Sequence, residues 1–212
     1  CWIVSHPHPD HVGAFIRILE NPMGMKVRQI CHSTFSEVLM DKEPDCKDEV
    51  VRYYEAVKKS GIPLIEATLG MTFSFGNTTF RILGIKNEEL GMNPYNNSSM
   101  VVKVWDPLKS VLFLGDLGKE GGDKLLQGDF KNQLNCDYLQ MSHHGQNGVS
   151  MDFYRTVKFR TCLWPTPTWV YNNDVGGGFN THILTTIETR NTIDALNISE
   201  NYYSFEGLKK ID

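Results

Sequence analysis

The chain has 212 residues, 41% of them hydrophobic and 22% charged, with a formal net charge of −4; this length suits one well-filled domain, read here as residues 1–212, rather than two. A pI near 6.0 argues against a global basic field of the kind that binds nucleic acid, which disfavours that class of partner without removing it. No apolar run approaches the roughly 20 residues of a membrane-crossing helix, and the five cysteines (Cys1, Cys31, Cys46, Cys136, Cys162) lack the CxxC pairing of a zinc ribbon. Dispersed in this way they read as reduced structural thiols, and they leave the compartment open.

In chain order, "CWIVS" reads as an apolar strand, "VGAFIRILE" as a helix and "KVRQICHS" as a second strand. "CKDEVVRYYEAVKKSG" is an amphipathic helix stopped at Gly61 and Pro63. "PLIEAT" is a strand, and "MTFSFGNTTFRILGI" a hairpin turning at Gly76-Asn77. "SSMVVKVWDPLKSVLFLGD" is a clearer hairpin still, turning through "DPLK". A short helix "KEGGDKLLQG", strand "CDYLQMS", helix "MDFYRTV" and strand "RTCLWPT" follow. "HILTTIETRNTIDAL" is expected to be one long helix, and "NYYSFEGLKKI" a closing hairpin. Interleaved strands and helices with central hairpins predict layered mixed sheets, not a doubly wound parallel sheet.

Three polar clusters follow apolar strands: "SHPHPDH" after "CWIV", "GD" after "SVLFL", and "SHHG" after "CDYLQM". Strand ends hold side chains firmly while leaving them open to solvent. Imidazoles mixed with carboxylates suit zinc or manganese, and iron is also compatible, whereas calcium prefers oxygen alone. His6 and His8, separated by a proline, can be aimed at one cation; Asp10 and His11 are better placed for a second. Asp116 has two oxygens and can bridge the pair. His32 and His182 are isolated and read as structural, and Trp164, Trp169 and Tyr171 as packing. "NPYNNSS" is about equally a plain loop or a wall of the site.

"SHPHPDH" resembles the HxHxDH signature of the metallo-β-lactamase superfamily. The later order "NNSSMVVKV", "VLFLGD", "LQMSHHGQNG" is similar to the branch with competence-type DNA-uptake nuclease domains and phosphorylcholine esterases; the likeness runs from residue 1 to about 165. The resemblance implies an α+β fold, a four-layer αββα sandwich of mixed sheets. It implies two divalent ions, with His6 and His8 on the first, Asp10 and His11 on the second, and Asp116 bridging. One of His143 and His144 would complete the second site, and the other would face substrate. Relatives often place another histidine before the "GD" hairpin, where this chain reads "NPYNNSS". They also carry several strands before the HxHxDH strand, so a missing N-terminal segment of the same polypeptide is expected to complete the sheet.

The expected activity is metal-dependent hydrolysis by a hydroxide held between two cations, with Asp10 orienting the nucleophile and His143 or His144 donating to the leaving oxygen. The branch points to a phosphodiester, and the absence of a basic patch to one of small-molecule or head-group size. A lactonase or other C–O/C–N hydrolase, or a non-catalytic metal-binding module, are the alternatives.

Overall fold

A computed structural model describes residues 1–210. The first third builds a parallel three-stranded sheet in the order β1-β2-β3, from Trp2–Ile3, Ile30–His32 and Leu64–Glu66. Its crossovers are α1 (Pro9–Glu20), the single turn α2 (Glu37–Met40) and α3 (Pro44–Ser60). Both long helices begin on a proline, whose fixed φ suits a first turn, and α3 ends on Gly61 at φ 65°. Alternation along the strands then sorts the side chains. Val4 and Ile30 point out to Val12, Phe15, Ile16, Tyr53 and Val57 on α1 and α3. Ile3, Cys31 and Ile65 point inward, onto Ile82, Met100 and Val102 of the second sheet.

That second sheet has seven strands in the order β10-β9-β8-β7-β6-β5-β4. The antiparallel meander β4 (Thr72–Phe75), β5 (Thr78–Gly84), β6 (Val101–Trp105) and β7 (Ser110–Phe113) turns at the two predicted hairpins. Three parallel strands continue it: β8 (Tyr138–Gln140), β9 (Thr161–Trp164) and β10 (Glu200–Tyr203). Its outer face buries Val101, Leu112, Leu139 and Cys162 against Leu125, Phe153 and Ile193. Those partners lie on α5 (Lys119–Gln127), α6 (Met151–Thr156) and α8 (Thr186–Ala195); the short α4 (Pro94–Asn97) and α7 (Thr168–Asn172) sit in connections. Each fully buried Phe or Leu here is worth about 1.5–3 kcal/mol. The layers therefore run helix, sheet, sheet, helix, with mixed strand directions in the larger sheet.

Two expected elements differ. The closing segment makes no hairpin: β10 runs parallel to β9 and ends in a 3-10 turn at Ser204–Glu206, and Ile211 lies outside the described residues. The long helix starts only at Thr186, because the Asn173 amide donates to the His182 carbonyl and accepts from the Leu184 N–H, holding that stretch outside the helix. The small sheet ends on β1. Trp2 and Val4 donate to Gln29, just before β2, and to Cys31 on it, so Ile3 turns its amide to an outer edge that no strand covers among the described residues. A groove of about 410 Å³ runs beside that edge, lined by Ile3, Phe80, Val104 and Phe113 and ending at Asp116 and His144.

Candidate metal centre

The strand-end clusters do converge. The chain leaves β1 as Ser5-His6-Pro7-His8 and enters α1 at Pro9. His8 stands at the N-cap of that helix but gives it no side-chain bond, because its ring is engaged elsewhere. Nε2 of His8 donates to Glu43 Oε2 at 2.9 Å, since a carboxylate can only accept, which leaves Nδ1 turned away from Glu43. That Nδ1 faces His6 Nε2 at 3.0 Å. His6 is anchored from behind, its Nδ1 lying 3.2 Å from the hydroxyls of Ser5 and Ser99.

Asp116 follows β7 in a tight turn. Gly115 adopts φ +57°, and a Cβ there would meet Ser5 at 2.8 Å and Ser99 at 3.0 Å, so only glycine fits. The Gln140 side chain accepts from the N–H groups of Leu114 and Gly115 and donates to the Gly115 carbonyl, and Ser99 Oγ accepts from Asp116 N. The carboxylate is thus aimed by its backbone.

After β8, Ser142–Gly145 forms a turn in which His143 and His144 both take left-handed backbone, at φ 50° and 58°. Such conformations are costly for non-glycine residues and cluster at functional sites. Instead of one ring binding and the other facing away, both rings reach Asp116 Oδ2: His143 Nε2 at 3.7 Å and His144 Nε2 at 3.4 Å. His144 Nδ1 donates to the Pro165 carbonyl at 2.7 Å, and its Nε2 also lies 3.2 Å from Asp10 Oδ2. His11 Nε2 is 3.1 Å from Asp116 Oδ2 and 3.4 Å from Asp10 Oδ2.

Asp10, His11, Asp116 and His144 bring one donor atom each within 4.8 Å of one another. His6 and His8 lie alongside, their rings 4.2 Å and 4.8 Å from His11 and His6 respectively. One buried side-chain atom at this cluster, Asn96 Oδ1, has no hydrogen-bond partner among the described residues, a situation that costs about 1–3 kcal/mol. Donor atoms about 2.1 Å from a cation sit about 3.0–3.4 Å apart. The spacings here therefore match the edges of coordination polyhedra, and the residues fit divalent ions.

The electrostatics agree. Burial pushes the Asp116 carboxyl up, but the His11 ring against it, with His6 and His144 nearby, holds it well below the usual carboxylate range. The hydrogen bond to His144 outweighs burial and lowers Asp10 to about 2; the same bond raises His144 to about 9. Burial pushes His6 and His143 down.

Two residues that sequence reasoning did not single out, Glu43 and Gln140, support the centre, and Asn96 and Ser99 bring the "NPYNNSS" stretch to it. Glu43 joins three segments, since its Oε1 also accepts from the Tyr95 N–H at 2.8 Å. His32 is buried on Tyr53 Oη and Thr34 Oγ1, a structural network apart from the cluster. Trp164 is core, its Nε1 donating to Asn201, while Trp169 is 49% exposed. All five cysteines are free, with Cys31 and Cys162 buried.

A mixed-sheet αββα sandwich with a His/Asp cluster at the sheet ends defines the class. The family model for the metallo-beta-lactamase superfamily matches residues 1–158, and the chain belongs to that superfamily. No curated protein matches the sequence. Among solved structures it is similar to a protein described as a possible metal-dependent hydrolase from Veillonella parvula DSM 2008, at 14% identity and TM-score 0.53, covering 97% of this chain and 73% of that one. It is similar to CmlA, a diiron beta-hydroxylase from Streptomyces venezuelae, at 12% identity and TM-score 0.55, covering 95% of this chain and 43% of that one. YhfI, a metallo-beta-lactamase fold protein from Bacillus subtilis, gives 10% identity and TM-score 0.51 over 94% of this chain and 72% of that one. This chain thus spans less than half of the hydroxylase, and identities this low establish the fold alone. Among the described residues no helix is long and apolar enough to cross a membrane.

Proposed function

We propose that the chain is a metal-dependent hydrolase acting on a phosphodiester of small-molecule or head-group size. The observation that carries hydrolysis is the shared orientation of His6, His8, His11, His143 and His144. Each has one ring nitrogen beside a hydroxyl, carbonyl or carboxylate of the surrounding protein and the other turned towards the cluster around Asp116. Backing of this kind fixes tautomers and raises ligand basicity. We assign His6, His8 and His143 to one ion and Asp10, His11 and His144 to a second, with Asp116 between them; zinc, manganese and iron all suit this donor set.

When bound, such a pair supplies a water that ionises near neutral pH and polarises the bond under attack. The chain's own residues do the rest. Gln140 and Ser99 hold Asp116 in register, and Asp10 orients the nucleophile. The branch-like "NNSS" and "SHHG" segments support the phosphodiester, since Asn96, Ser99, His143 and His144 all reach the cluster. The bare edge of β1 supports one further element, a strand from polypeptide outside residues 1–212 that pairs with Ile3 and covers Phe113, now 43% exposed.

The test is turnover of bis-p-nitrophenyl phosphate with added Mn²⁺ or Zn²⁺, alongside a lactone and a β-lactam. Diester hydrolysis is expected. Lactone turnover alone would replace the substrate, and stoichiometric metal binding with no turnover would leave a binding module.

A further inference from the structure

The segment Asn96-Asn97-Ser98-Ser99 is buried, and the protein itself uses three of its four polar side chains. Asn97 donates to the Met92 carbonyl and to Glu120, and accepts from Gly121 N. Ser98 Oγ accepts from Asn87 N, and Ser99 Oγ links His6 to Asp116 N. Asn96 is the exception. It is only 7% exposed, its Oδ1 has no partner among the described residues, and its Nδ2 lies 3.5 Å from His143 Nε2. Amide oxygen and nitrogen are interchangeable by a half-turn of the side chain, so either atom can take the position beside His143.

The placement is enforced from both sides. Asn93, at φ 40°, starts the turn of α4, and Glu43 holds the N–H of the neighbouring Tyr95 while its other oxygen holds His8. The carboxylate that orients His8 therefore also fixes the backbone one residue from Asn96. A spacing of 3.5 Å from an imidazole nitrogen matches neighbouring ligands on one cation, for which about 3.4 Å is the tetrahedral edge. Asn96 also lies in the stretch that contains no histidine.

We infer that Asn96 supplies its amide oxygen as a neutral ligand to the ion assigned above to His6, His8 and His143. This rests on that two-ion reading and deepens it. A neutral oxygen beside three imidazoles makes this site harder than an all-imidazole one, so it would favour manganese over zinc relative to such a site.

The experiment is calorimetric titration of metal-depleted wild type, Asn96→Ala and Asn96→Asp with Zn²⁺ and then Mn²⁺, with Co²⁺ absorption spectra as a second readout. Two ions are expected for wild type. Asn96→Ala should keep one affinity and weaken the other at least about tenfold, with a changed Co²⁺ spectrum, as a lost ligand requires. Asn96→Asp should retain both ions, because a carboxylate oxygen can replace the amide oxygen. A wild type that takes up no ion overturns the two-ion reading itself. A two-ion wild type with Asn96→Ala indistinguishable from it in affinity and spectrum overturns this inference alone, as does Asn96→Asp behaving like a loss of the site.

Discussion

The Asp10–His11–Asp116–His144 cluster and the neighbouring His6–His8 pair sit side by side yet are neutralised differently. In the first, two carboxylates face two imidazoles, and the ion pairs satisfy the group without any cation. His144 consequently keeps its proton up to about 9. In the second, burial holds His6 neutral, and the partner of its Nε2 is His8 Nδ1 at 3.0 Å. One half must expel a proton to accept a metal, whereas the other gives up only a hydrogen bond between rings. Similar ligand chemistry therefore comes with two different competitors.

The most severe way to break the contrast is Asp116→Asn, which weakens the carboxylate shared by both halves. Metal content measured after dialysis should fall for both ions, and turnover by about 10³-fold, the scale of removing one strong electrostatic stabiliser. Glu43→Ala should damage one half selectively. It frees the His8 tautomer and the Tyr95 N–H, so one of two affinities in a calorimetric titration should drop about 10–100-fold. Glu43→Gln, whose single oxygen can accept from only one of the two donors, should fall less than Glu43→Ala. Equal losses at both ions would show that Glu43 does not discriminate between them.

The smallest effect is on protons. His144 lies above its ordinary 6.5, so the imidazolium's contribution is whole below 6.5 and disappears as the pH passes about 9. Asp10 lies below its ordinary 3.8, so its contribution holds above 3.8 and is lost as the pH falls through about 2. Metal uptake near pH 7.5 should therefore release a proton, seen as buffer-dependent heat, and the release should vanish above pH 9 and in His144→Ala. Release that persists unchanged in His144→Ala would place the exchanged proton elsewhere.

How much of this was legible in the sequence depended on distance along the chain. "HPHPDH" packs its meaning into six positions, and its joint placement with Asp116 and "SHHG" followed from all three lying at strand ends. Glu43 was hidden because "DKEP" looks like a solvated helix start, and nothing local says that its oxygens meet His8, 35 positions away, and Tyr95. Ser99 acts on His6 from 93 positions away. The left-handed backbone of His143 and His144 runs into Gly145, which lies so close to the Trp164 ring that a Cβ there would approach to 2.5 Å, a tertiary contact with no local signature. The closing hairpin failed for a similar reason: the strand-forming residues of β10 found a better edge on β9 than on their own continuation.

The centre also joins the two sheets, because Asp10 and His11 follow the small one while Asp116 and His144 follow the large. Asp10 and His144 are 134 positions apart. In the language of polymer loops, an ion held by both is a reversible cross-link that closes most of the chain, removing unfolded-state entropy as a long-range disulfide does. With the proposed ion bound, cation occupancy would enter the unfolding equilibrium, and a chelator should act as a denaturant for the seam between the sheets.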